Sequence, residues 1–255
     1  MLDRVKIIEE LEKLGVIPPE IIFFESTDST NTRAKEYARE KHSAEKRPVV
    51  FIANEQTGGR GRRGRSFVSE KGAGIYLSIL TYPDESGSDA TAATARAAVM
   101  LSEAIESLCD CSIKIKWVND LYLGGKKLAG ILTEGEMGEN GKIAYQVVGI
   151  GINVYKNAIS DEISSIATSI EGETNHKIDR SKLAARIISK FMSERGDLYD
   201  EYKSRSFIIG KTVTVIKLAE SYEAKVLDIT PDFSLLIERD GKQERLFTGE
   251  ISLKI

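Results

Sequence analysis

The residues best suited to chemistry are four arginines and four glycines, which fill eight consecutive positions at the end of the segment EQTGGRGRRGR, residues 55–65. Glycines allow backbone N–H groups to approach a ligand closely. Guanidinium groups present planar donor forks that match carboxylates and phosphates. Four like charges this close repel one another and usually need an anionic partner. This arginine loop, residues 58–65, therefore predicts a site for anions.

Three interpretations of the arginine loop compete. An RNA-binding segment of the Arg-Gly-Gly type normally repeats within a low-complexity tail, whereas this cluster occurs once, between two predicted strands. A phosphate-binding P-loop requires G-x-x-x-x-G-K-[ST], but here Arg65 follows Gly64. The third interpretation is an active-site loop that gathers two anions, a phosphate chain and a carboxylate. We favour this third interpretation from the residues alone.

Composition restricts the class of protein. The 255 residues carry a net charge of -3, which disfavours a general nucleic-acid binder because such proteins normally carry a basic field. Cys109 and Cys111 cannot complete a zinc site alone, and His42 and His176 receive no function. The sequence has no apolar run long enough to cross a bilayer and no signal peptide, so we expect no membrane contact and a cytoplasmic location.

Predicted strands and helices alternate along the chain on both sides of the arginine loop, and they determine its position. The loop follows the predicted strand PVVFIANEQ and precedes the predicted strand GIYLSIL. A first helix is expected to bury Val5, Ile8, Leu11 and Leu14. Further along, we predict the helix DSTNTRAKEYARE, an alanine-rich helix over 89–108, the strand SIKIKW, a hairpin turning at Gly124-Gly125, and the buried strand KIAYQVVGIGINV.

The pattern changes near residue 206. Before it, one helix over 179–202 is expected to bury Leu183, Ile187, Phe191, Leu198 and Tyr202. After it, four short strands joined by turns, including Asp240-Gly241, predict a small barrel. We therefore expect a large domain over residues 1–206 and a small one over residues 207–255.

Five motifs, in this order, resemble those of biotin protein ligases. They are DSTN from Asp28, the loop GGRGRRGR, KWVND from Lys116, KLAGIL from Lys127 and GIGIN from Gly149. Together they cover about residues 22–155. The predicted C-terminal barrel is similar to the SH3-like domain of that family, so the resemblance extends over nearly the whole chain.

The resemblance implies an α/β (α+β) fold: a mixed β-sheet flanked by helices, similar to class II aminoacyl-tRNA synthetases, with a C-terminal SH3-like barrel. It also implies that biotin and ATP form biotinyl-5′-AMP, with Mg²⁺ on the ATP phosphates. The biotinyl group then passes to a lysine of the biotin carboxyl carrier protein of acetyl-CoA carboxylase. A carboxylate and an α-phosphate repel each other unless cations surround them, which gives the arginine loop a physical purpose.

Site residues follow from the motif positions, with Lys127 and Arg62 as the expected catalytic side chains. Biotin-binding residues implied by the resemblance are Ser29, Thr30, Asn31, Gln56, Gly59, Arg60, Gly61, Arg62, Lys127, Gly130, Gly149 and Gly151. ATP-binding residues implied by it are Arg60, Arg62, Arg63, Arg65, Phe67, Asn119, Asp120, Lys127 and Asn153. The metal ligands stay unassigned.

Ordinary structural roles compete with several of these assignments. Ser29 or Thr30 could simply cap a helix, and Lys127 could be a surface lysine in a hairpin. Gly149 and Gly151 could serve close strand packing instead of a ligand that lies on the backbone. For Arg63, a solvated side chain is almost as well supported as a role in holding phosphate. Trp117 is expected in the core or beside the ligand wall. Asp120 could order Lys127 or an arginine, or help with magnesium.

Two departures from the family pattern affect the expectations. Phe67 stands where many members have a tryptophan, which keeps an aromatic ring for stacking on adenine but reduces its area. KWVND replaces the common KWPND, which removes a φ constraint but no chemical group. About twenty residues precede the first motif, too few for a three-helix DNA reader, so we expect no repressor function.

The nearest rival is a lipoate or octanoate ligase or transferase of the same fold. That interpretation does not explain why the arginine loop occurs together with KWVND and KKLAGIL. A nucleic-acid-binding module with an SH3-like tail is the rival from another class, and the acidic net charge disfavours it. The oligomeric state stays open, a homodimer included.

Overall fold

The computed structural model describes residues 2–40, 46–83, 90–138, 142–193, 196–217, 220–247 and 250–253. The α-helices are α1 (Arg4–Lys13), α2 (Thr30–Glu40), α3 (Ala90–Glu106), α4 (Ile170–Thr174), α5 (Arg180–Met192) and α6 (Tyr199–Arg205). The strands before residue 206 are β1 (Glu20–Phe24), β2 (Val49–Ala53), β3 (Gly74–Thr81), β4 (Lys114–Lys116), β5 (Asp120–Leu123), β6 (Lys126–Met137) and β7 (Ile143–Asn153). Those after it are β8 (Thr212–Lys217), β9 (Glu220–Ile229), β10 (Leu235–Arg239), β11 (Lys242–Leu246) and β12 (Glu250–Leu253).

The first seven strands form one mixed sheet in the order β1-β2-β3-β7-β6-β5-β4. Only the β1–β2 pair is parallel within this sheet. The register sets Gly151 opposite Tyr76 on one side and Gly130 on the other, and Gly130 opposite Asp120. The residues that bear the motifs KWVND, KLAGIL and GIGIN therefore lie side by side in the sheet.

Helices cover both faces of the sheet. On β2, Val50 and Ile52 pack into the main core with α1, α3 and α5, while Val49 and Phe51 pack on the other face with α2. This alternation is the two-residue period of a strand that is buried on both sides. The predicted mixed sheet flanked by helices is confirmed.

Two predicted turns have the expected backbone. Gly124 and Gly125 adopt φ values of 57° and 80° between β5 and β6, and Asp240 and Gly241 adopt 51° and 73° between β10 and β11. Two successive positive φ values are required by the two-residue hairpin turn that glycine and aspartate favour. Both hairpin predictions are therefore confirmed.

Two helix predictions need correction. In α1 the buried residues are Ile7 and Leu11, whereas Val5 is 63% exposed. The buried face of the helix is therefore turned toward Ile7 relative to the predicted face. The helix predicted over 179–202 is two helices, because α5 ends at Met192 and α6 begins at Tyr199. Ser193 is already extended, with ψ at 136°, which stops the helical backbone.

The last five strands form an antiparallel sheet in the order β11-β10-β9-β8-β12, consistent with the SH3-like domain expected. The strand β12 is an addition, since the sequence pattern predicted four. Val213, Leu235 and Ile251 from this sheet join the main core, so the two sheets share one continuous apolar interior. The proposed domain boundary near residue 206 lies between α6 and β8 and stays a prediction.

Parts of the sequence expectations fall outside the described residues, namely His42 and the first residue of the helix predicted over 89–108. Within the described ranges, no helix combines the length and apolar character needed to cross a membrane.

Candidate active site

A cavity of about 270 Å³ lies between the arginine loop and strands β5, β6 and β7. Most predicted site residues line it: Ser29, Thr30, Asn31, Gln56, Arg60, Gly61, Arg62, Arg65, Phe67, Asn119, Asp120, Lys127, Gly130, Gly149 and Gly151. Gly59 and Asn153 lie outside this lining, and the side chain of Arg63 is outside the described part of the chain. Residues from five separate motifs thus converge on one space.

The arginine loop folds back on itself above this cavity. Arg60 and Ser66 form an antiparallel bridge, and Gly61 N donates to Arg65 O at 2.7 Å. A single turn of 3-10 helix over Arg62–Gly64 closes the tip, where Gly64 takes a positive φ of 74°. The loop is therefore a short hairpin with a defined backbone, which places the side chains of Arg60, Arg62 and Arg65 at the cavity.

Arg62 connects the arginine loop to the sheet below. Its Nη1 donates to Asn119 Oδ1 at 3.3 Å. Asn119 is itself held by Ile131, since Asn119 Nδ2 donates to Ile131 O at 3.0 Å and Ile131 N donates to Asn119 O at 3.0 Å. Asn119 thus fixes the guanidinium group of Arg62 over the cavity.

Lys127 forms an ion pair with Asp120, with 2.7 Å between the ammonium nitrogen and the carboxylate oxygen. The backbone of Lys127 is bound from the other side, because its N–H donates to Ile166 O and its carbonyl accepts from Thr168 N. Lys126 behaves differently, and its ammonium group donates to Ser164 O at 2.7 Å. The side chains of the two adjacent lysines therefore have different partners, as expected when successive side chains of a strand point to opposite faces.

The charge in the cavity is strongly positive. Among the described lining residues, five are cationic and one is a carboxylate, Asp120; the cations are Arg60, Arg62, Arg65, Lys116 and Lys127. Burial raises the pKa of Tyr122 to about 12, and the charge of Asp120 adds to that effect, so Tyr122 stays neutral. Such a cavity favours anionic ligands.

A hydrogen-bonded network forms the opposite wall. Ser78 Oγ lies 2.7 Å from Thr30 Oγ1 and donates to Asn31 Oδ1 at 2.6 Å. Gln56 Oε1 accepts from Thr30 N at 2.8 Å, so Gln56, and not a side chain of the helix itself, caps this first amide of α2. Gln56 Nε2 donates to Ser69 Oγ at 3.0 Å, which joins the wall to the base of the arginine loop.

The glycines of this wall make room for protein side chains. A Cβ on Gly149 would lie 2.1 Å from Asn31 Oδ1, and one on Gly151 would lie 2.6 Å from the ring of Phe67. Gly59 is packed in the same way, against the backbone carbonyl of Phe67. Close packing is therefore what these three positions require in this structure. The predicted stacking of Phe67 on adenine stays a prediction.

Other lining residues were not among the predicted site residues: Ser66, Lys116, Trp117, Tyr122, Ile131, Leu132, Ile150, Ile166 and Ile251. Ile166 belongs to the connection between β7 and α4, which has no helical or strand period. Ile251 comes from β12, the strand that the sequence pattern missed. Trp117, expected either in the core or beside the ligand wall, is in both positions: it is 3% exposed, and it also lines the cavity.

A sequence model of the Biotin/lipoate A/B protein ligase family matches residues 23–153, which span all five motifs. The chain belongs to this family. Its sequence is 30% identical to the bifunctional ligase/repressor BirA of Bacillus subtilis over 251 residues, covering 94% of this chain and 76% of that protein. It is 35% identical to the biotin–[acetyl-CoA-carboxylase] ligase of Paracoccus denitrificans over 159 residues, covering 60% and 63% of the two chains.

Structural similarity supports the same membership. The biotin protein ligase from Aquifex aeolicus, solved in complex with biotin and ATP, superposes with a TM-score of 0.76. The two sequences are 26% identical, and the match covers 92% of this chain and 98% of that one. The resemblance drawn from the five motifs is confirmed at the level of family and fold, while the expected lack of a repressor function stays a prediction.

Proposed function

We propose that this chain is an ATP-dependent biotin protein ligase. The observation that carries the proposal is the convergence of Arg62 and Lys127 on one cavity, whose opposite wall is a polar network built from Thr30, Asn31 and Gln56. Relatives named for biotin ligation support biotin over lipoate as the substrate. Biotin brings a carboxylate and ATP brings phosphates, the two anions that this cationic space can hold together.

In the first step, a carboxylate oxygen of biotin attacks the α-phosphorus of ATP. A new P–O bond forms, and the bond to pyrophosphate breaks, with its electron pair leaving on pyrophosphate. Lys127 and Arg62 stabilise the negative charge that collects as the two anions meet. The arginine loop keeps water from the mixed anhydride, which hydrolysis would destroy.

In the second step, the amine of a lysine on a biotin carboxyl carrier protein attacks the acyl carbon. A C–N bond forms, the C–O bond to AMP breaks, and the proton of the amine passes to solvent. The acceptor lysine must reach the cavity from outside, so the arginine loop must move away from the intermediate before transfer.

We assign the remaining contacts by their chemistry. Ser29, Thr30, Asn31 and Gln56 bind the polar ring of biotin, which needs both donors and acceptors. For the nucleotide we assign Arg60, Arg65, Phe67 and Asn119 from the lining, and we keep Arg63 and Asn153 as proposed ATP contacts.

Mg²⁺ fits this site as a partner of the ATP phosphates, whose charge it neutralises when bound. The described residues contain no cluster of three or more His, Cys, Asp or Glu side chains that would hold a metal on its own. Asp120 is the carboxylate of the described lining. Phosphate oxygens, water and at most one carboxylate form the donor set that Mg²⁺ commonly takes with nucleotides.

We place the reaction in the cytoplasm. Cys109 and Cys111 are free thiols with their sulfur atoms 3.0 Å apart, and burial raises the pKa of both. Cysteines that form no disulfide suit a reducing compartment.

The proposal is tested by incubating the chain with ATP, a carrier domain and either biotin or lipoate, followed by mass spectrometry of the carrier. We expect the mass increase of one biotinyl group on one lysine and no lipoylation. A carrier modified by lipoate, or by neither acid, contradicts the proposal.

A further inference from the structure

Tyr122 on β5 borders the cavity with a hydroxyl group that the protein itself does not use. The residue is half-buried and lines the cavity, and its ring packs on Phe207 with 5.1 Å between the ring centres. Within the described ranges, the OH of Tyr122 forms no hydrogen bond. Burial, together with the charge of Asp120, raises the pKa of Tyr122 to about 12, so the OH keeps its hydrogen at neutral pH. Tyr122 therefore offers the cavity a neutral donor.

The order of the strands gives the cavity two ends. At one end, Asn31 Oδ1 accepts from Ser78 Oγ of β3 at 2.6 Å, and Asn31 lies against Gly149 of β7. Lys127 follows on β6, and Tyr122 is paired with it from β5. Since neighbouring strands lie about 4.8 Å apart, Tyr122 and the polar wall around Asn31 lie on opposite sides of Lys127.

The end of the cavity beyond Lys127 also carries a cation. Lys116 on β4 is paired with Asp120, so its side chain lies on the face of the sheet that Asp120 and Tyr122 share. All three of these residues line the cavity. Lys114, two residues earlier on β4, is exposed and lies outside the described lining. Because Asp120 is neutralised by Lys127 at 2.7 Å, this end combines a cation with a neutral donor, which suits phosphate oxygens.

The geometry of the proposed first step decides which ligand reaches this end. In phosphoryl chemistry the attacking and the leaving oxygen lie roughly in line through the phosphorus. A biotin ring held by the polar wall brings its carboxylate to Lys127 from the side of β7. Pyrophosphate must then leave on the opposite side, toward β5 and β4, where Tyr122 lies.

We propose that Tyr122 is a catalytic residue that donates a hydrogen bond from its OH to an oxygen of the leaving pyrophosphate. The inference rests on the proposed function. A P–O bond to the carboxylate forms, the P–O bond to pyrophosphate breaks, and its electron pair leaves on pyrophosphate, while the hydrogen stays on Tyr122. Charge on the leaving oxygen is greater in the transition state than in bound ATP, so the donor accelerates the step.

Transfer to the carrier involves no pyrophosphate, which separates this role from others. Tyr122→Phe removes one oxygen and keeps the ring on Phe207, so its melting midpoint should match that of the parent. It should form biotinyl-5′-AMP from biotin and ATP about tenfold more slowly, the effect of one hydrogen bond of about 1.4 kcal/mol. Transfer from synthetic biotinyl-5′-AMP to the carrier should keep the parent rate.

The reverse reaction measures the contact itself. Each protein receives synthetic biotinyl-5′-AMP, Mg²⁺ and a series of pyrophosphate concentrations, and the ATP formed is measured. We expect Tyr122→Phe to lower kcat/KM for pyrophosphate about tenfold. Tyr145 is the control, because it lies on β7 of the same sheet, outside the described lining, and its OH donates to Glu136 at 2.6 Å. Tyr145→Phe should lose stability but keep the parent kcat/KM.

Two outcomes with Tyr122→Phe would overturn the inference. One is a parent-like kcat/KM for pyrophosphate. The other is slower transfer from biotinyl-5′-AMP, because the OH would then serve the nucleoside or the carrier lysine. A parent chain that makes no ATP from biotinyl-5′-AMP and pyrophosphate would overturn the proposed function as well.

A second pair of variants tests the place of the leaving group without changing Tyr122. Lys116→Ala removes the cation of the lining, and Lys114→Ala removes the exposed one on the same strand. Lys116→Ala should lower kcat/KM for pyrophosphate at least tenfold, and Lys114→Ala should stay near the parent. Equal values in the two variants would place the leaving group elsewhere and overturn the inference.

Discussion

Lys126 and Lys127 are neighbours in sequence with opposite surroundings. The ammonium group of Lys127 faces the cavity and pairs with Asp120, while that of Lys126 binds the backbone carbonyl of Ser164. A salt bridge that is partly exposed contributes little stability by itself. In the proposed reaction, this pair instead holds the Lys127 ammonium group at the place where the carboxylate and the α-phosphate meet.

Replacement of Lys127 by alanine should slow adenylate formation by about a hundredfold to a thousandfold, the usual cost of removing one group that stabilises developing charge. Lys126→Ala is the matched control and should keep the parent rate. Single-turnover formation of biotinyl-5′-AMP measures both. Equal rates in the two variants contradict the role of Lys127, provided that their melting curves match that of the parent.

Acid pH should separate the parent from Glu134→Gln in stability. Burial acts to raise the pKa of Glu134 on β6, but the hydrogen bonds from Lys35 and Asn31 outweigh it and lower that pKa from its ordinary value of 4.5. The carboxylate therefore stabilises the folded protein above that pH. The contribution is lost as pH falls through the lower folded value. Denaturant unfolding at a series of pH values should show a constant stability difference near neutral pH that shrinks below pH 4.5. A difference that persists unchanged in acid argues against an ionised, paired Glu134.

Among the elements, the arginine loop has the clearest mechanical role. Its two ends approach each other through the Arg60–Ser66 bridge, and its tip is attached to the sheet by Arg62 through Asn119. Arg60 Nη2 attaches the same loop to α2 by donating to Thr32 Oγ1. If the loop is the lid proposed above, the contacts of Arg62 and Arg60 must break when it opens for a carrier lysine.

Arg62→Ala should release biotinyl-5′-AMP into solution about tenfold faster than the parent, since the loss of one charge-assisted hydrogen bond costs about 1.5 kcal/mol. Arg62→Lys keeps the charge but not the planar fork, so its release rate should lie between the two. Filtration of the enzyme–intermediate complex after a chase gives the rates. Unchanged release from Arg62→Ala would contradict the lid role.

The same elements show how far the sequence predicts the fold and the site. The arginine loop, KWVND, KLAGIL and GIGIN are local patterns, and pairing of β5, β6 and β7 brings them together in register. Ile166 could not be found in this way, because its place depends on a backbone bridge to Lys127. The break between α5 and α6 was missed because apolar positions keep a helical period across it, while Ser193 takes an extended conformation.

At the scale of the whole molecule, the C-terminal sheet supports the catalytic one from behind. Trp117 Nε1 donates to Phe233 O, between β9 and β10, at 2.8 Å. Tyr202 of α6 packs its ring against Phe233 and donates from its OH to Val118 O at 3.2 Å, next to Asn119. Phe233 is 4% exposed and holds a positive φ of 61°, a conformation that a bulky residue adopts only when its surroundings require it. The second sheet therefore fixes the turn that presents Asn119 to Arg62.

Trp117→Phe should reduce the free energy of unfolding by about 1–3 kcal/mol, because a buried carbonyl loses its donor. It should also slow adenylate formation, since the KWVND turn loses its support. Tyr199→Phe is the control: it removes a similar link to the second sheet, the donation from Tyr199 OH to Ile229 O at 2.8 Å, without touching that turn. We expect it to lower stability but keep the rate. Equal rates in both variants would contradict the coupling.

The proposed reaction requires that the arginine loop and Lys127 bring a carboxylate and an α-phosphate together and let them react. Exchange of labelled pyrophosphate into ATP tests it most directly, because the exchange needs the first step and no carrier protein. We predict exchange that depends on biotin, fails with lipoate, and is lost in Lys127→Ala. Exchange that proceeds without biotin, or none with biotin, ATP and Mg²⁺ all present, contradicts the account.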